Sequence, residues 1–333
     1  MWYTKFGNMG DVVLSTRVRL ARNLKNTPFP NRADKTQQEE IINTLKSASA
    51  KIEDARFFDL SNMPDREKKA LAERHIISPL LTDGSIKRGL VLSDDQRISI
   101  MLMEEDHLRI QAMHEGFAVE ECLKSAMDVD DTLEESLDYA FSEKLGYLTC
   151  CPTNVGTGLR ISVMVCLPGI TMAGRIDSLS RSLSKIGIAV RGIFGEGSQS
   201  LGNIYQISNQ VTLGITEEET AQKLTEIVSE IISQERSLQQ KIYLADKFRI
   251  EDKVMRALGT LKYSRIMGSG EALGLISDVR LGINVGIIKE TDLEKLSEIL
   301  YSVLPATLSA TYNIETPADR DVKRAEVIRE KLG

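Results

Sequence analysis

No apolar run in this chain approaches the roughly 18–20 residues that a membrane-spanning helix needs, although 42% of its 333 residues are apolar. Cysteine is scarce. Cys122, Cys150, Cys151 and Cys166 are the four present, and no two form a CxxC pair. Adjacent cysteines rarely bridge each other, so no disulfide framework is expected. The three histidines, His75, His107 and His114, show no HExxH or CxxC-type spacing, so no dedicated zinc site is expected. The first residues, MWYTKFGNMGDVV, lack a basic stretch followed by an apolar one, so no export signal is expected. A net charge of −6 argues against a generic nucleic-acid surface and suits a cationic substrate. The expectation is a reduced, cytoplasmic protein of one large domain or two, with no membrane or nucleic-acid partner.

The familiar phosphate and nucleophile motifs are missing too. There is no GxxxxGKS or GxxxxGKT loop, no HRD or DFG stretch and no GxSxG elbow. Gly156-Thr157-Gly158 lacks the third glycine and the strand–helix context of a dinucleotide fingerprint. Phosphate chemistry in this chain must rest on side chains.

Residues 11–20, DVVLSTRVRL, predict a strand whose alternation places Arg17 and Arg19 on one face. Residues 36–52 predict a helix, opened by a Thr36-x-x-Glu39 capping box and carrying Ile42, Leu45, Ala48 and Ile52; residues 64–77 predict another. Short apolar runs between 88 and 114 predict antiparallel strands, and 115–145 two short helices. Strands are expected at 159–167, 188–194 and 203–209, with a crossing helix over 172–186. A second capping box, Thr216-x-x-Glu219, opens a long helix. From about 245 the pattern is helical to the end. The expected fold class is therefore α+β: an antiparallel or mixed sheet flanked by helices over 1–245, then a smaller helical domain over 246–333.

Five arginines fall on strands or strand ends: Arg17, Arg19, Arg109, Arg160 and Arg191. One such arginine would ordinarily face solvent or a carboxylate. Five together fit a polyphosphate such as ATP, whose oxygens accept guanidinium forks. Residues 103–109, MEEDHLR, gather three carboxylates at a turn between apolar strands, and Glu196 sits in a glycine-flanked loop five residues after Arg191.

STRVRLAR (15–22), EEDHLR (104–109), CPTNVGTGLR (151–160), VRGIFGE (190–196) and IYQISNQ (204–210) resemble, in order and spacing, the successive signatures of the phosphagen kinases. That family moves phosphate between ATP and a guanidino group. Its small-molecule members carry a helical domain ahead of STRVR, whereas here STRVR begins at Ser15. They also often have a polar or basic residue where Phe194 stands. The helical C-terminal part with DRDVKRA (319–325) resembles the bacterial protein-arginine kinase branch instead.

The resemblance implies that Arg17, Arg19, Arg109, Arg160 and Arg191 cradle the ATP phosphates, with His75 near the base. It implies that Glu104 orders Mg²⁺ through water rather than as a direct ligand. Glu105 and Glu196 would grip the substrate guanidinium, Glu105 as the base, and Cys151 would lie beside it; Cys122, Cys150 and Cys166 are expected as core filler. The resemblance further implies an allosteric phosphoarginine site at Arg320, Asp321 and Arg324 and a homodimer. It points to protein substrates with exposed arginines, a zinc-binding activator, a stress-response repressor and a Clp-type ATPase as partners. A small-molecule guanidino kinase and a non-catalytic phosphoarginine binder are the alternatives.

Overall fold

The structure, a computed structural model, describes residues 2–84, 86–192 and 201–333. Eight strands build one sheet: β1 (Val13–Arg22), β2 (Ala55–Asp59), β3 (Gly89–Ser93), β4 (Ile98–Leu102), β5 (Leu108–Glu115), β8 (Leu159–Cys166), β9 (Ile188–Gly192) and β10 (Ile204–Asn209). Their order is β2-β3-β4-β5-β1-β8-β10-β9, and every pairing is antiparallel. The edge strand β2 was not expected from the sequence. Its half-exposed ARFFD carries too little alternation in residue type to stand out. The expected strand over 188–194 is described as far as Gly192.

Alternation sorts the sheet into two faces. Val18, Leu20, Ile110, Ile161, Val163 and Ile207 point one way and are covered by helices α1 (Lys35–Ser49), α3 (Val119–Glu134) and α6 (Glu217–Ala245). Ile42, Leu45 and Ala48 of α1 and Leu224 and Val228 of α6 supply the facing stripes. The opposite face is covered in pieces. Helix α2 (Asp65–Glu73) and its flanks close over β3 and β4 through Leu71, Ile76, Ile77 and Met101.

The chain after 245 forms α7 (Lys247–Tyr263), α8 (Ser269–Asn284), α9 (Leu293–Ser302), α10 (Pro305–Tyr312) and α11 (Pro317–Leu332). These helices share one apolar cluster with Leu14, Met113, Met164, Cys166 and Ile204 of the sheet. Their core is thus continuous with the sheet. Between these two coverings the face carries the strand arginines.

Two local expectations are corrected. Helix α1 is capped two residues earlier. Asp34 accepts from the Gln37 amide at 2.9 Å and the Gln37 side chain accepts from the Asp34 amide at 3.0 Å, so Thr36 lies inside the first turn. Residues 115–145 hold one helix, followed by a tight hairpin of β6 (Phe141–Ser142) and β7 (Gly146–Tyr147). The second helix is pre-empted because this segment pairs with the chain leaving β1: Ala140 donates to the Asn23 carbonyl at 2.7 Å and Lys25 to that of Asp138 at 2.9 Å. The crossing segment 172–186 divides into α4 (Pro168–Met172) and α5 (Ile176–Ser184), broken at Gly174, whose φ is +67°.

Arg22 closes β1 with a fully buried guanidinium. It donates to Asp130 of α3 at 2.9 and 2.6 Å, to the Thr157 carbonyl at 2.9 Å, and stacks 3.5 Å over the Tyr147 ring. The pair ties strand, helix and loop at one point. Asp130→Ala would leave that cation buried without a counter-charge; a loss of about 3–5 kcal/mol is expected in urea unfolding, and a loss under 1 kcal/mol would refute this account.

Candidate active site

Strand register decides which side chains meet. Arg19 lies opposite Arg160 on β8 and opposite Gln111 on β5. Arg17 lies opposite Ser162, and Gln206 opposite Arg191. All therefore share one face, and Arg17 donates to Gln206 Oε1 at 3.0 Å. Two clefts open along this row and both are walled by Arg19 and Arg160. The first, of about 210 Å³, adds Arg17, Arg191 and His75 with the apolar Ile77, Pro79 and Met101. The second, of about 390 Å³, adds Glu105, Arg109 and Cys151. Of the expected residues around the two chemistries, all but Glu196 fall into these clefts or, like Glu104, directly behind them. Glu196, like Phe194, lies outside the described residues.

The electrostatics of the first cleft are those of a desolvated cation cluster. Burial, then Arg109 and Arg160, pull the Arg17 guanidinium down to about 10. Burial, then Arg17, Arg109 and Arg160, hold Arg19 well below the ordinary arginine range. Arg19 Nε is buried with no hydrogen-bond partner. An anion with several oxygens would relieve both costs, so this donor set fits a polyphosphate.

His75 sits at the inner wall with φ +58°. Gln111 fixes its carbonyl at 2.8 Å, and Ser99 fixes that of Ile76 at 2.6 Å. Burial and the Arg17 and Arg19 charges push the imidazole down to about 3. The ring is therefore neutral at physiological pH, suited to lie against a flat base.

The turn between β4 and β5 places two carboxylates differently. Glu104 is committed inward. One oxygen accepts from Ser78 Oγ at 2.6 Å and Arg109 Nη1 at 2.8 Å, the other from the Glu105 amide at 2.8 Å. Glu105 faces the second cleft, 3.2 Å from Arg109 Nη2. Burial raises its carboxyl against the opposing pull of Arg109. Asp106 is completely buried and accepts from Asn23 Nδ2 at 2.7 Å and from the Cys150 amide at 2.6 Å. It thereby joins the carboxylate turn to the loop that carries Cys151. His107 is structural: Nδ1 accepts from the Leu24 amide at 3.0 Å and Nε2 donates to the Pro28 carbonyl at 2.9 Å.

Cys151 lies 3.0 Å from Thr153 Oγ1. Cys122 and Cys166 are buried as expected, their thiols pushed up by burial to about 12 and about 11. Cys150 departs from core filler: it is partly exposed, because its amide is turned inward to Asp106. Among the described residues no group of three or more His, Cys, Asp or Glu side chains could hold a metal ion.

Arg320, Asp321 and Arg324 lie apart from both clefts, on α11. Arg324 is buried, donating to the Val303 carbonyl at 2.9 Å, the Met267 carbonyl at 2.8 Å and Asp321. Arg320 is partly exposed and reaches Ser309 Oγ at 3.4 Å. The two guanidiniums thus sit in unlike settings, one inside the fold and one at its surface. The sequence does not single out Asn23, Gln111, Gln206, Ser78 and Asp106 as site residues, since neutral amides, a hydroxyl and a third carboxylate in a charge run carry no distinctive signal.

Two outcomes follow. His75 resists protonation in the folded state, so the unfolded chain binds the extra proton below the usual pKa of about 6.5. Stability should fall as pH drops from there toward 3, by up to about 1.4 kcal/mol per unit from this group. His75→Gln should flatten that dependence in denaturation curves taken at several pH values; an unchanged slope would contradict it. Asp106→Ala should loosen the Cys151 loop and lower kcat/KM for the guanidino substrate at least about tenfold, with ATP affinity within twofold of the parent in a titration.

The chain matches two family models: the ATP:guanido phosphotransferase C-terminal catalytic domain over residues 36–238, and the protein-arginine kinase McsB C-terminal domain over residues 247–333. It is 44% identical over 334 residues to the protein-arginine kinase of Halothermothrix orenii, covering 99% of this chain and 96% of that one. It is 46% identical over 329 residues to that of Caldanaerobacter subterraneus subsp. tengcongensis, covering 97% of each. Among solved structures it resembles a duplicated taurocyamine kinase from Schistosoma mansoni with bound transition-state-analogue components. The TM-score is 0.64 at 28% identity, over 71% of this chain and 35% of that one. It also resembles a lombricine kinase, with a TM-score of 0.60 at 25% identity over 70% of this chain and 68% of that one. Nearly full-length matches at this identity, with both family models in sequence order, show that the chain belongs to the protein-arginine kinase family of ATP:guanido phosphotransferases.

Proposed function

We propose that this chain is an ATP-dependent protein-arginine kinase, which transfers the γ-phosphate of ATP to arginine side chains of proteins. The observation that carries the proposal is the second cleft, where Glu105 and Cys151 share walls with Arg19, Arg109 and Arg160. A guanidinium-binding carboxylate and phosphate-binding arginines thus face one space. Arginine-containing substrates enter as cations with a pKa above about 12 and are poor nucleophiles until a proton is removed. Glu105 accepts that proton from the attacking nitrogen as the nitrogen–phosphorus bond forms and the bond to the ADP oxygen breaks. Its raised carboxyl favours the proton-accepting role. Arg17, Arg19, Arg109, Arg160 and Arg191 hold the phosphate oxygens and neutralise the spreading charge. Glu196 is the second carboxylate of the clamp. Cys151 lies against the guanidinium and tunes it.

Mg²⁺ supplies further neutralisation when it arrives on the nucleotide. Glu104, with both oxygens engaged by Ser78, Arg109 and the Glu105 amide, would order it through water. His75 is assigned to the base end of the nucleotide. We keep 1–245 as the catalytic unit and 246–333 as the unit that dimerises. On α11, Arg320, Asp321 and Arg324 are assigned to bind phosphoarginine, Arg324 from a buried position. The family resemblance supports a cytoplasmic role in stress response, with a zinc-binding activator, a transcriptional repressor and a Clp-type ATPase as partners. Phosphoarginine would mark proteins for degradation.

The test uses purified chain, Mg-ATP and casein, with phosphosites mapped by mass spectrometry under non-acidic handling. Phosphoarginine is expected, and Glu105→Gln should lower kcat by about 10²–10⁴-fold with ATP binding retained. Phosphorylation of free arginine but not of casein would replace this reading with a small-molecule guanidino kinase.

A further inference from the structure

Outside both clefts, one exposed apolar surface adjoins the candidate guanidinium site. Phe141 is 57% exposed, Leu145 46% and Leu213 52%. They line a groove of about 360 Å³ between the β6–β7 hairpin and the segment leading into α6. Large apolar side chains left this open and side by side are unusual on a surface that needs no partner.

The groove and the guanidinium cleft share a wall. Cys151, Thr153, Asn154 and Gly158 line the cleft, whereas Gly156 and Thr157 line the groove. The backbone here is packed too tightly to move independently. A Cβ on Gly146 would meet the Gly156 carbonyl at 2.5 Å, and one on Gly156 would meet the Thr212 carbonyl at 2.0 Å. Gly156 also holds φ at +115°, open only to glycine. Thr157 donates its amide to the Thr212 carbonyl at 2.9 Å, and the single Thr212 hydroxyl proton is shared between the carbonyls of Val155 at 2.8 Å and Thr153 at 3.0 Å. Hairpin, cleft wall and α6 entry form one rigid unit.

The groove's charge has a sign. Glu217 and Glu219 of the first α6 turn line it against the single cation Lys144, and the chain as a whole is acidic. A segment bearing arginine is the complementary partner.

We propose that this groove docks the substrate polypeptide beside the target arginine, as an extended segment with apolar side chains next to that arginine. This rests on the protein-arginine kinase reading and names its substrate class: arginines flanked by bulky apolar residues in unfolded or extended chain. Apolar side chains of the substrate cover Phe141 and Leu213 while the arginine turns over the 151–158 wall toward Glu105.

The test compares two synthetic peptides with one central arginine, one flanked by leucine and phenylalanine, the other by serine. The full chain should prefer the apolar peptide in kcat/KM by at least about fivefold, the scale of covering two half-exposed apolar side chains. The Phe141→Ser, Leu213→Ser variant should lose that preference while the KM for ATP and rate on the serine peptide stay unchanged. Because Phe141 packs edge-on against Tyr147 at 5.2 Å, Leu145→Ser, Leu213→Ser serves as a second variant that spares this contact. Equal use of both peptides by the parent, or a preference surviving in both variants, would overturn the docking proposal alone. A change of mass in solution in both variants would overturn it too, assigning the groove to contacts between copies. No phosphoarginine on either peptide or on casein would overturn the kinase reading, and this one with it.

Discussion

Arg19 and Arg160 stand directly opposite each other on neighbouring strands, and the remainder of the site answers that one constraint. Like charges at opposed positions of an antiparallel pair repel at a Cβ separation of about 4.5–5.5 Å. Here they do so on a face that also carries Arg17, with burial depressing both Arg17 and Arg19. A sheet that only had to be stable would place threonine or valine at such positions. The arrangement is tolerable because the other face is a continuous apolar core under three helices, which fixes the register whatever the arginines prefer. The free energy stored in the crowded guanidiniums is available to any anion that disperses it.

Neutral groups do most of the aiming. Gln206 holds Arg17, Gln111 and Ser99 hold the chain on either side of His75–Ile76, and Asn23 holds Asp106. An amide or hydroxyl fixes a neighbour without adding charge to a site whose charge is the working element. Asp106 is the exception. Its buried carboxyl is pushed up by burial and tempered by the Cys150 amide and Asn23, and it bridges two loops that are 44 residues apart. Carboxylate turn and cysteine loop therefore keep a common geometry, although neither belongs to a regular element along most of its length.

The sequence carried the arginine face because strand alternation is a strict two-residue rule. Arg17 and Arg19 had to agree, and short apolar runs located β3, β4, β5 and β8. It carried the α6 start because Thr216 and Glu219 satisfy each other locally, at 3.1 and 3.0 Å. What it did not carry depends on distant partners. Nothing in residues 135–145 announces that they will pair with the chain after β1 in place of forming a helix. Thr36 and Asp34 are both good caps, and the reciprocal bonds with Gln37 go to Asp34. Arg22, three residues after the phosphate-facing candidate Arg19 in the same STRVRLAR stretch, differs from it only in where the pleat and Asp130 send it. Arg324 shows the same limit on a helix. Four residues from Arg320, it is drawn inside by the carbonyls of Val303 and Met267.

The two carboxylates of the β4–β5 turn show how one short sequence divides its labour. Glu104 has 2% of its side chain exposed and Glu105 has 36%. The inner carboxylate accepts from Ser78, Arg109 and the next amide, so it holds Arg109 in place and does not face a second cation directly. The outer one shares Arg109 more loosely, at 3.2 Å, and keeps capacity for a second cation. Arg109 lies opposite Ala21, near the end of β1, so this pair stands where the cationic face gives way to loops. Along the sheet the potential therefore changes sign over a few residues, from guanidiniums at mid-strand to an available carboxylate at the rim. Such a gradient would draw a phosphate-bearing ligand inward and hold a guanidinium at the edge. An arginine still attached to a polypeptide would reach a carboxylate at the rim of the face more readily than one at its centre, and Glu105, with 36% of its side chain exposed, stands at that rim.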